Sequence, residues 1–314
     1  MRKIILAILL LLVLIACKPT AKQPITIQSP FIGGAQGIQI DFHELRKDVF
    51  DGGRDPFDVI IKLQNNGETE VNKENIKIKL SGINPSEFGK LEEQLVASAP
   101  DDVIEIRKDA TGNMIPSPPT FVEFLELNHR STITGASAQF PLRADLCYLY
   151  RTKAVSKLCI RSDLLTPPPG GICEINEEKP LFNSGAPVQI SGFKESTRAK
   201  DKVGFSFEIK NAGTGNIFER NSFCDRSQRK NENRVYVIIN TGLSGLSCTG
   251  LESTGKGAEG FVTLYGGSKI VTCTQTANTR TDFEQLVNIE AIYDYEQTAQ
   301  TTITVKSSGE STAE

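Results

Sequence analysis

The sequence predicts an all-β protein built from two tandem antiparallel β-sandwiches. One observation is the alternation of apolar and polar residues in Phe57–Leu63, which leads to an Asn-Asn-Gly turn beginning at Asn65. A second is that the pattern recurs in Val203–Ile209, before an Asn-Ala-Gly turn beginning at Asn211. A third is the repeated spacing of short apolar segments by turn residues. Alternation with a period of two is typical of strands with one buried face, and repeated short strands favour sandwiches.

The length and charge of the chain limit its class. Its 314 residues are enough for two domains with separate cores, and a content of 39% hydrophobic and 23% charged residues is typical of a globular protein. The formal net charge is -3 at pH 7. Because nucleic-acid binding usually needs a clustered basic surface, we expect no nucleic-acid partner.

The N-terminal segment predicts export. Two basic residues precede an uncharged segment, 4–17, that ends in Leu14-Ile15-Ala16-Cys17. This segment is too short to span a bilayer comfortably, but it suits the apolar core of a signal peptide. Its end resembles the lipobox of bacterial and archaeal lipoproteins, in which the cysteine is lipidated and becomes the new N-terminus.

The resemblance to a lipobox implies a signal peptide over residues 1–16, followed by a lipidated Cys17 and a polar tether over 17–36. The expected location is the outer face of the membrane, with the lipid as anchor. The alternatives are a cleaved signal peptide with a chance cysteine and an uncleaved anchor.

The first sandwich is predicted over residues 37–163. Ser86 is expected to cap a short helix over 86–97 that interrupts the strands. Two arms, 143–150 and 155–160, are expected to form a hairpin with its turn at 151–154. The predicted strands before this hairpin are Gly37–Glu44, Phe57–Leu63, Ile76–Leu80, Val103–Ile106 and Phe121–Leu127.

A linker over 164–185 contains three consecutive prolines, and such a run is stiff and extended. The second sandwich is predicted over 186–306, followed by a disordered tail over 307–314. The spacing between matching residues grows within it, because Asn211 follows Asn65 by 146 positions and Asn233 follows Asn75 by 158. Twelve extra residues, including Cys224, account for the difference. The predicted strands are Pro187–Ile190, Val203–Ile209, Val235–Ile239, Gly260–Leu264, Ser268–Thr274, Val287–Tyr295 and Ile303–Lys306.

The six cysteines after Cys17 predict disulfides, because an even number outside the cytosol is usually paired. The expected hairpin places Cys147 opposite Cys159, which predicts a bridge between them. For the other four we expect Cys248–Cys273 within the second domain and Cys173–Cys224 between linker and second domain, although their connectivity stays open.

The two sandwiches resemble the immunoglobulin-like modules of archaeal and bacterial surface lipoproteins, the kind called CARDB-like. The resemblance is carried by the strands that end at Asn65 and Asn211, and by a closing Tyr-x-Tyr strand in each half. It covers most of residues 37–162 and 186–306. It implies surface display with a role in adhesion or envelope assembly, and it brings no catalytic residues.

Candidate chemistry is sparse. The chain has two histidines, His43 and His129, and neither stands in a recognisable catalytic motif. Four aspartates crowd a glycine-containing turn and make a weak candidate for calcium, although aspartate at a turn needs no metal. They are Asp48, Asp51, Asp55 and Asp58. We therefore expect no enzyme activity, no metal and no cofactor.

The expected function is that of a non-enzymatic surface lipoprotein that binds another envelope or surface protein. The alternative is a solute-binding or carbohydrate-binding lipoprotein that serves a transporter. The absence of tryptophan removes the strongest sugar-stacking side chain and counts against this alternative. The partner and the oligomeric state do not follow from the sequence.

Overall fold

The computed structural model describes residues 28–165, 171–253 and 257–309. The predicted signal peptide, Cys17, the proline run and residues 310–314 lie outside these ranges. The described residues contain strands, turns and short 3₁₀ helices but no α-helix, which confirms the all-β prediction. None of the described segments is a helix with the length and apolar character needed to cross a bilayer.

Residues 28–165, which we call the first half, contain nine strands and three 3₁₀ helices. The strands are Ile38–His43 (β1), Asp48–Phe50 (β2), Phe57–Asn65 (β3), Ile76–Ser81 (β4), Val96–Ala97 (β5), Arg107–Lys108 (β6), Met114–Ile115 (β7), Thr120–Leu127 (β8) and Ser137–Ile160 (β9). The 3₁₀ helices are Lys73–Asn75, Pro85–Phe88 and Glu92–Leu95.

The described residues after the proline run, 171–253 and 257–309, which we call the second half, contain ten strands and two 3₁₀ helices. The strands are Phe182–Asn183 (β10), Val188–Ala199 (β11), Lys202–Asn211 (β12), Asn216–Phe218 (β13), Arg234–Asn240 (β14), Leu246–Thr249 (β15), Glu252–Ser253 (β16), Glu259–Thr263 (β17), Ser268–Thr276 (β18) and Phe283–Lys306 (β19). The 3₁₀ helices are Arg229–Asn231 and Tyr265–Gly267.

These strands form one large sheet and three smaller ones. A ten-stranded sheet has the order β16-β17-β14-β19-β9-β4-β5, with β10 paired to β9 and with β13 and β2 paired to β19. A three-stranded sheet, β1-β3-β8, belongs to the first half. A four-stranded sheet, β11-β12-β18-β15, belongs to the second half, and β6-β7 is a small ribbon. The buried faces of both halves join in one continuous hydrophobic core.

The predicted hairpin over 143–160 is wrong, because β9 is a single strand of 24 residues. Burial alternates through the predicted turn: Tyr150, Thr152 and Ala154 are buried while Arg151 and Lys153 are exposed. This is the period of two that a strand requires, and the segment 151–154 contains no glycine, proline or asparagine to break it.

Strand β9 pairs along its whole length with β19 of the second half, in antiparallel register from Phe283↔Ile160 to Lys306↔Ser137. We call this pairing the seam. The halves are therefore joined through their longest strands, and the described residues from Phe31 onward form one compact unit rather than two separate domains.

The predicted linker is also partly built into the fold. Phe182 and Asn183 of β10 pair with Val155 and Ala154 of β9. The side chain of Lys179 is buried and lies 3.5 Å from the carboxylate of Glu195 in β11. Residues 171–185 are thus attached to both halves and do not act as a free spacer.

Three smaller predictions also need correction. Instead of one helix over 86–97 there are two 3₁₀ turns, and the cap of the first is Asn84, whose Oδ1 accepts the backbone N–H of Ser86 at 3.3 Å. The predicted strand over 103–106 is reduced to a single bridge between Val103 and Val71. The separate last strand over 303–306 is the end of β19, where β2 pairs with it in parallel.

Candidate functional site

Four buried tyrosines lie at the centre of the seam. Tyr148 stands opposite Tyr295 and Tyr150 stands opposite Tyr293. In the sequence repeat, however, Tyr148 corresponds to Tyr293 and Tyr150 to Tyr295, so each tyrosine faces the counterpart of its neighbour. Their rings contact one another largely edge to face, with centroids 5.4 Å apart for Tyr148 and Tyr150 and 5.9 Å apart for Tyr148 and Tyr295. This geometry suits the quadrupoles of aromatic rings.

Matching tyrosines make matching hydrogen bonds to the start of each half. The backbone N–H of Ile38 donates to the Tyr148 hydroxyl at 3.1 Å, and that of Val188 donates to the Tyr293 hydroxyl at 3.1 Å. Burial raises the pKa of both hydroxyls above the ordinary value, so they stay protonated. The tyrosines thereby fasten β1 and β11 to the seam.

The Asn-x-Gly turns of the sequence repeat face the other two tyrosines. The Tyr150 hydroxyl donates to Oδ1 of Asn65 at 3.0 Å, and Nδ2 of Asn65 donates to the carbonyl of Thr69 at 2.7 Å. A Cβ on Gly67 would lie 2.1 Å from the Tyr150 hydroxyl, which explains the glycine. The second half repeats these contacts with Tyr295, Asn211, Gly215 and Gly213.

The two halves diverge directly after these turns. In the second half, Asn216–Phe218 continue as β13 and pair with Glu296–Asp294 of β19. The equivalent residues of the first half, Glu70–Asn72, form no such strand on β9. Val71 instead exchanges backbone hydrogen bonds with Val103, at 3.0 and 2.9 Å.

This divergence leaves an opening that we call the β9 slot, a cavity of about 400 Å³. One side is formed by Leu149, Arg151 and Lys153 of β9, and the other by Glu68–Asn72. Glu105 also lines it.

Two contacts define the chemistry of the β9 slot. The hydroxyl of Thr69 donates to the carbonyl of Arg151 at 2.7 Å, across the slot. Oε2 of Glu105 is buried without a hydrogen-bond partner, whereas Oε1 accepts from Arg107 at 2.8 Å. Burial acts to raise the pKa of Glu105, but the hydrogen bond and charge of Arg107, a backbone hydrogen bond and the charge of Lys153 together outweigh it. The pKa therefore lies below its ordinary value, and the carboxylate is charged.

In the second half, the twelve-residue insertion is part of a longer loop over residues 219–233, which we call the Cys224 loop. A disulfide joins Cys224 to Cys147 of β9. Asn221, Phe223 and Cys224 have positive φ angles of 62°, 50° and 55°, which non-glycine residues rarely adopt. Such a backbone persists only where its surroundings hold it in place.

The buried carboxylate of Asp294 supplies much of that restraint. It accepts the backbone N–H of Asn221 at 3.0 Å and that of Phe223 at 2.6 Å. Burial raises the pKa of Asp294, and the backbone N–H groups offset part of this effect. The loop is therefore fixed at both the disulfide and the carboxylate.

The Cys224 loop presents an aromatic ring beside a charged cleft. Phe223 is 50% exposed although its backbone is fixed. The adjoining cleft has a volume of about 500 Å³ and is lined by Lys77 and Lys79 of β4 together with Arg143 and Arg226. Arg226 forms an ion pair with Glu296 at the cleft wall. Lys77 and Lys79 have no salt-bridge partner among the residues that the structure describes.

The disulfides differ from two of the three predicted pairs. Cys248–Cys273 is confirmed, and it joins directly opposed residues of β15 and β18. The predicted Cys147–Cys159 and Cys173–Cys224 bridges are wrong. The structure has Cys147–Cys224 and Cys159–Cys173, because a straight β9 separates Cys147 from Cys159.

The histidines lie apart from the β9 slot and the cleft. His43 contacts the ring of Phe121, with centroids 4.8 Å apart. His129 is buried between Phe88 and Phe140, at centroid distances of 5.2 and 5.1 Å. Both therefore act as packing side chains within the described residues.

The four aspartates proposed for calcium are used separately. Asp51 accepts the backbone N–H groups of Ile133 and Ser308, and Asp58 accepts that of Glu126. Asp55 pairs with Arg46, and Asp48 pairs with Lys306. Among the described residues, no group of three or more His, Cys, Asp or Glu side chains is arranged to hold a metal ion.

Comparison with known proteins adds no identification. No family model matches the chain. No curated protein matches it either. The resemblance to CARDB-like modules therefore stays a prediction.

Proposed function

We propose that this chain is a non-enzymatic interaction protein of the cell envelope, exported and anchored by lipid at Cys17. The three disulfides support a location outside the cytosol, because reducing compartments keep thiols unpaired. The apolar segment and the lipobox-like residues that end at Cys17 supply the anchor in this proposal.

The contact surface in this proposal is the Cys224 loop, and its fixed backbone is the main support. A loop held by a disulfide and by Asp294 loses little conformational entropy when it binds. It exposes Phe223 beside Arg226, and aromatic and arginine side chains are the groups most enriched in binding hot spots. The binding partner in this proposal is another protein of the envelope or of a neighbouring cell.

Photo-crosslinking on intact cells tests this surface. A photo-reactive phenylalanine analogue replaces Phe223 in the full chain, and the matched control carries it at Leu286, which is 51% exposed. We expect a discrete protein adduct from position 223 and none from position 286. No adduct at position 223, or equal adducts at both positions, would contradict the proposed surface.

The anchor and the rival function have separate readouts. The intact mass of membrane-extracted protein is expected to lack residues 1–16 and to include a lipid on Cys17; an unmodified Cys17 contradicts the anchor. A rise in Tm with sugars in solution, in the absence of any crosslinked protein, would instead favour the transporter-associated binder.

A further inference from the structure

We propose that the β9 slot binds an extended peptide segment of a partner protein, which adds a short strand to the edge of β9. The inference rests on the proposed function because it assumes a protein partner. It concerns a different surface from the Cys224 loop.

In the second half, the edge that corresponds to the β9 slot is occupied by a strand. Strand β13 pairs with Glu296–Asp294 of β19 directly after the Asn211 turn. The tyrosine repeat has an offset of 145, so the equivalent edge of the first half is residues 149–151 of β9. One half therefore shows that this edge accepts a strand of three residues.

In the first half, the corresponding edge of β9 is without a paired strand. Pairing of β9 with β4 ends at Tyr148, and pairing with β10 begins at Ala154. Among the described residues, no strand pairs with this edge of β9 between those two positions. The backbone N–H and carbonyl of Lys153 are already hydrogen-bonded to Ser184, so the edge open to a strand is that of residues 149–151. A strand edge left between two paired stretches presents backbone donors and acceptors for an added strand.

The walls of the β9 slot are far enough apart to admit a segment. Residues Glu70–Asn72, the equivalents of β13, lie away from β9, where the bridge between Val71 and Val103 holds them. The resulting volume of about 400 Å³ lies within the range of small-ligand sites. The hydroxyl of Thr69 donates to the carbonyl of Arg151, so an added strand replaces this one hydrogen bond with one from its own backbone N–H.

The buried carboxylate of Glu105 indicates which side chain the segment carries. Oε2 of Glu105 is buried and lacks a donor, although the carboxylate is charged. A buried acceptor without a partner is unfavourable, and a cationic donor would satisfy it. The segment is therefore one with a lysine or an arginine within the added strand.

The test is fluorescence anisotropy with the full chain extracted in detergent and a fluorescein-labelled Thr-Val-Lys-Val-Thr peptide. The first control peptide is N-methylated at both valines, which removes two backbone donors. The second carries norleucine in place of lysine. We expect saturable binding that N-methylation weakens at least about tenfold, since strand addition depends on main-chain hydrogen bonds.

Variants locate the site. Glu105→Gln is expected to weaken binding of the lysine peptide by about fivefold to tenfold, and that of the norleucine peptide by less than about twofold, because a charged hydrogen bond is lost only in the first. Phe223→Ala is expected to leave both affinities unchanged. Thermal unfolding checks that each variant is folded.

The absence of saturable binding, or equal affinity for the N-methylated peptide, would overturn the proposal. Loss of binding in Phe223→Ala but not in Glu105→Gln would also overturn it, by placing the peptide on the Cys224 loop. Conversely, a failed crosslink at position 223 with intact peptide binding would remove the loop surface and leave the β9 slot standing.

Discussion

The two halves of this protein agree where they are fastened together and differ immediately beyond that point. Both use buried tyrosines to hold the first strand and the Asn-x-Gly turn of each half. After Thr69 the first half leaves β9 open, whereas after Gly215 the second half adds β13 and the Cys224 loop. The shared contacts explain the fold, and the differing segments provide the two candidate contact surfaces.

The position of one cysteine shows how the difference is built. Cys147 receives the disulfide from the second half's insertion. The residue that corresponds to Cys147 on β19, 145 positions later, is Ile292, which lines the β9 slot. The first half has no corresponding insertion, and β19 has Ile292 instead of a cysteine at the matching position, so this side of the seam stays open.

Removal of the Cys147–Cys224 bridge should have the largest effect on stability. The double variant Cys147→Ala/Cys224→Ala is expected to lower the free energy of unfolding by about 4.5 kcal/mol, because the bridge closes a long loop in the unfolded chain. The matched variant Cys248→Ala/Cys273→Ala removes a bridge that closes a shorter loop. It is expected to lower the free energy of unfolding by about 3.5 kcal/mol. Urea unfolding measures both values, and a larger loss in the Cys248–Cys273 variant would contradict the role assigned to the seam bridge.

Much of the fold follows from the sequence, because alternation of apolar residues is set by local geometry. Strands β1, β3, β4, β8, β12 and β14 all begin within a few residues of their predicted positions. The seam could not be predicted in the same way. Thr152 and Ala154 pair with Ala291 and Ile289 of β19, which lie 135 or more residues away in the chain, so no local pattern indicates this pairing.

The candidate surfaces were only partly visible in the sequence. The increase in offset from 146 to 158 located the insertion with Cys224, but it did not single out Phe223 within it. The β9 slot was missed altogether, because it arises from a strand that is absent in one half. A residue-by-residue comparison of the two halves after Asn65 and Asn211 could have revealed the β9 slot.

The buried carboxylate of Glu195 should make stability depend on pH. Burial raises the pKa of Glu195 to about 7 from an ordinary value of 4.5, although the Cys159 N–H and Lys179 act to lower it. The folded state then holds a proton that the unfolded state releases, so stability is highest below pH 4.5 and falls as the pH rises to 7. The expected loss is on the order of 2–3 kcal/mol.

The variant Glu195→Gln tests this assignment. Gln cannot titrate, and its carbonyl can still accept the N–H of Cys159. We expect the fall in the free energy of unfolding between pH 4.5 and 7 to be smaller in this variant than in the parent, as measured by urea unfolding at several pH values. An unchanged pH dependence would assign the effect to other groups.

The tyrosine contacts offer a smaller test of the equivalence between the halves. Tyr148→Phe leaves the N–H of Ile38 without its acceptor and is expected to lower the free energy of unfolding by about 1–2 kcal/mol. Tyr293→Phe should have a slightly larger effect, because its hydroxyl also contacts that of Thr152 at 3.1 Å. Thermal or urea unfolding of both variants measures the difference; a loss in only one of them would break the equivalence.

The smallest stability effect is expected at the exposed ring of the loop. Phe223→Ala should change the free energy of unfolding by no more than about 0.5 kcal/mol, since the side chain is half exposed and the loop is held by other groups. The same variant is expected to abolish co-purification of the partner identified by crosslinking at position 223. A large loss of stability would instead show that Phe223 serves packing.

The most direct test of the seam is the disulfide connectivity, measured by mass spectrometry of a non-reducing peptide digest. A continuous β9 paired with β19 predicts three linked peptides: Cys147–Cys224, Cys159–Cys173 and Cys248–Cys273. A peptide that links Cys147 to Cys159 would contradict the account, because those residues can meet only if β9 folds back as a hairpin and the two halves separate.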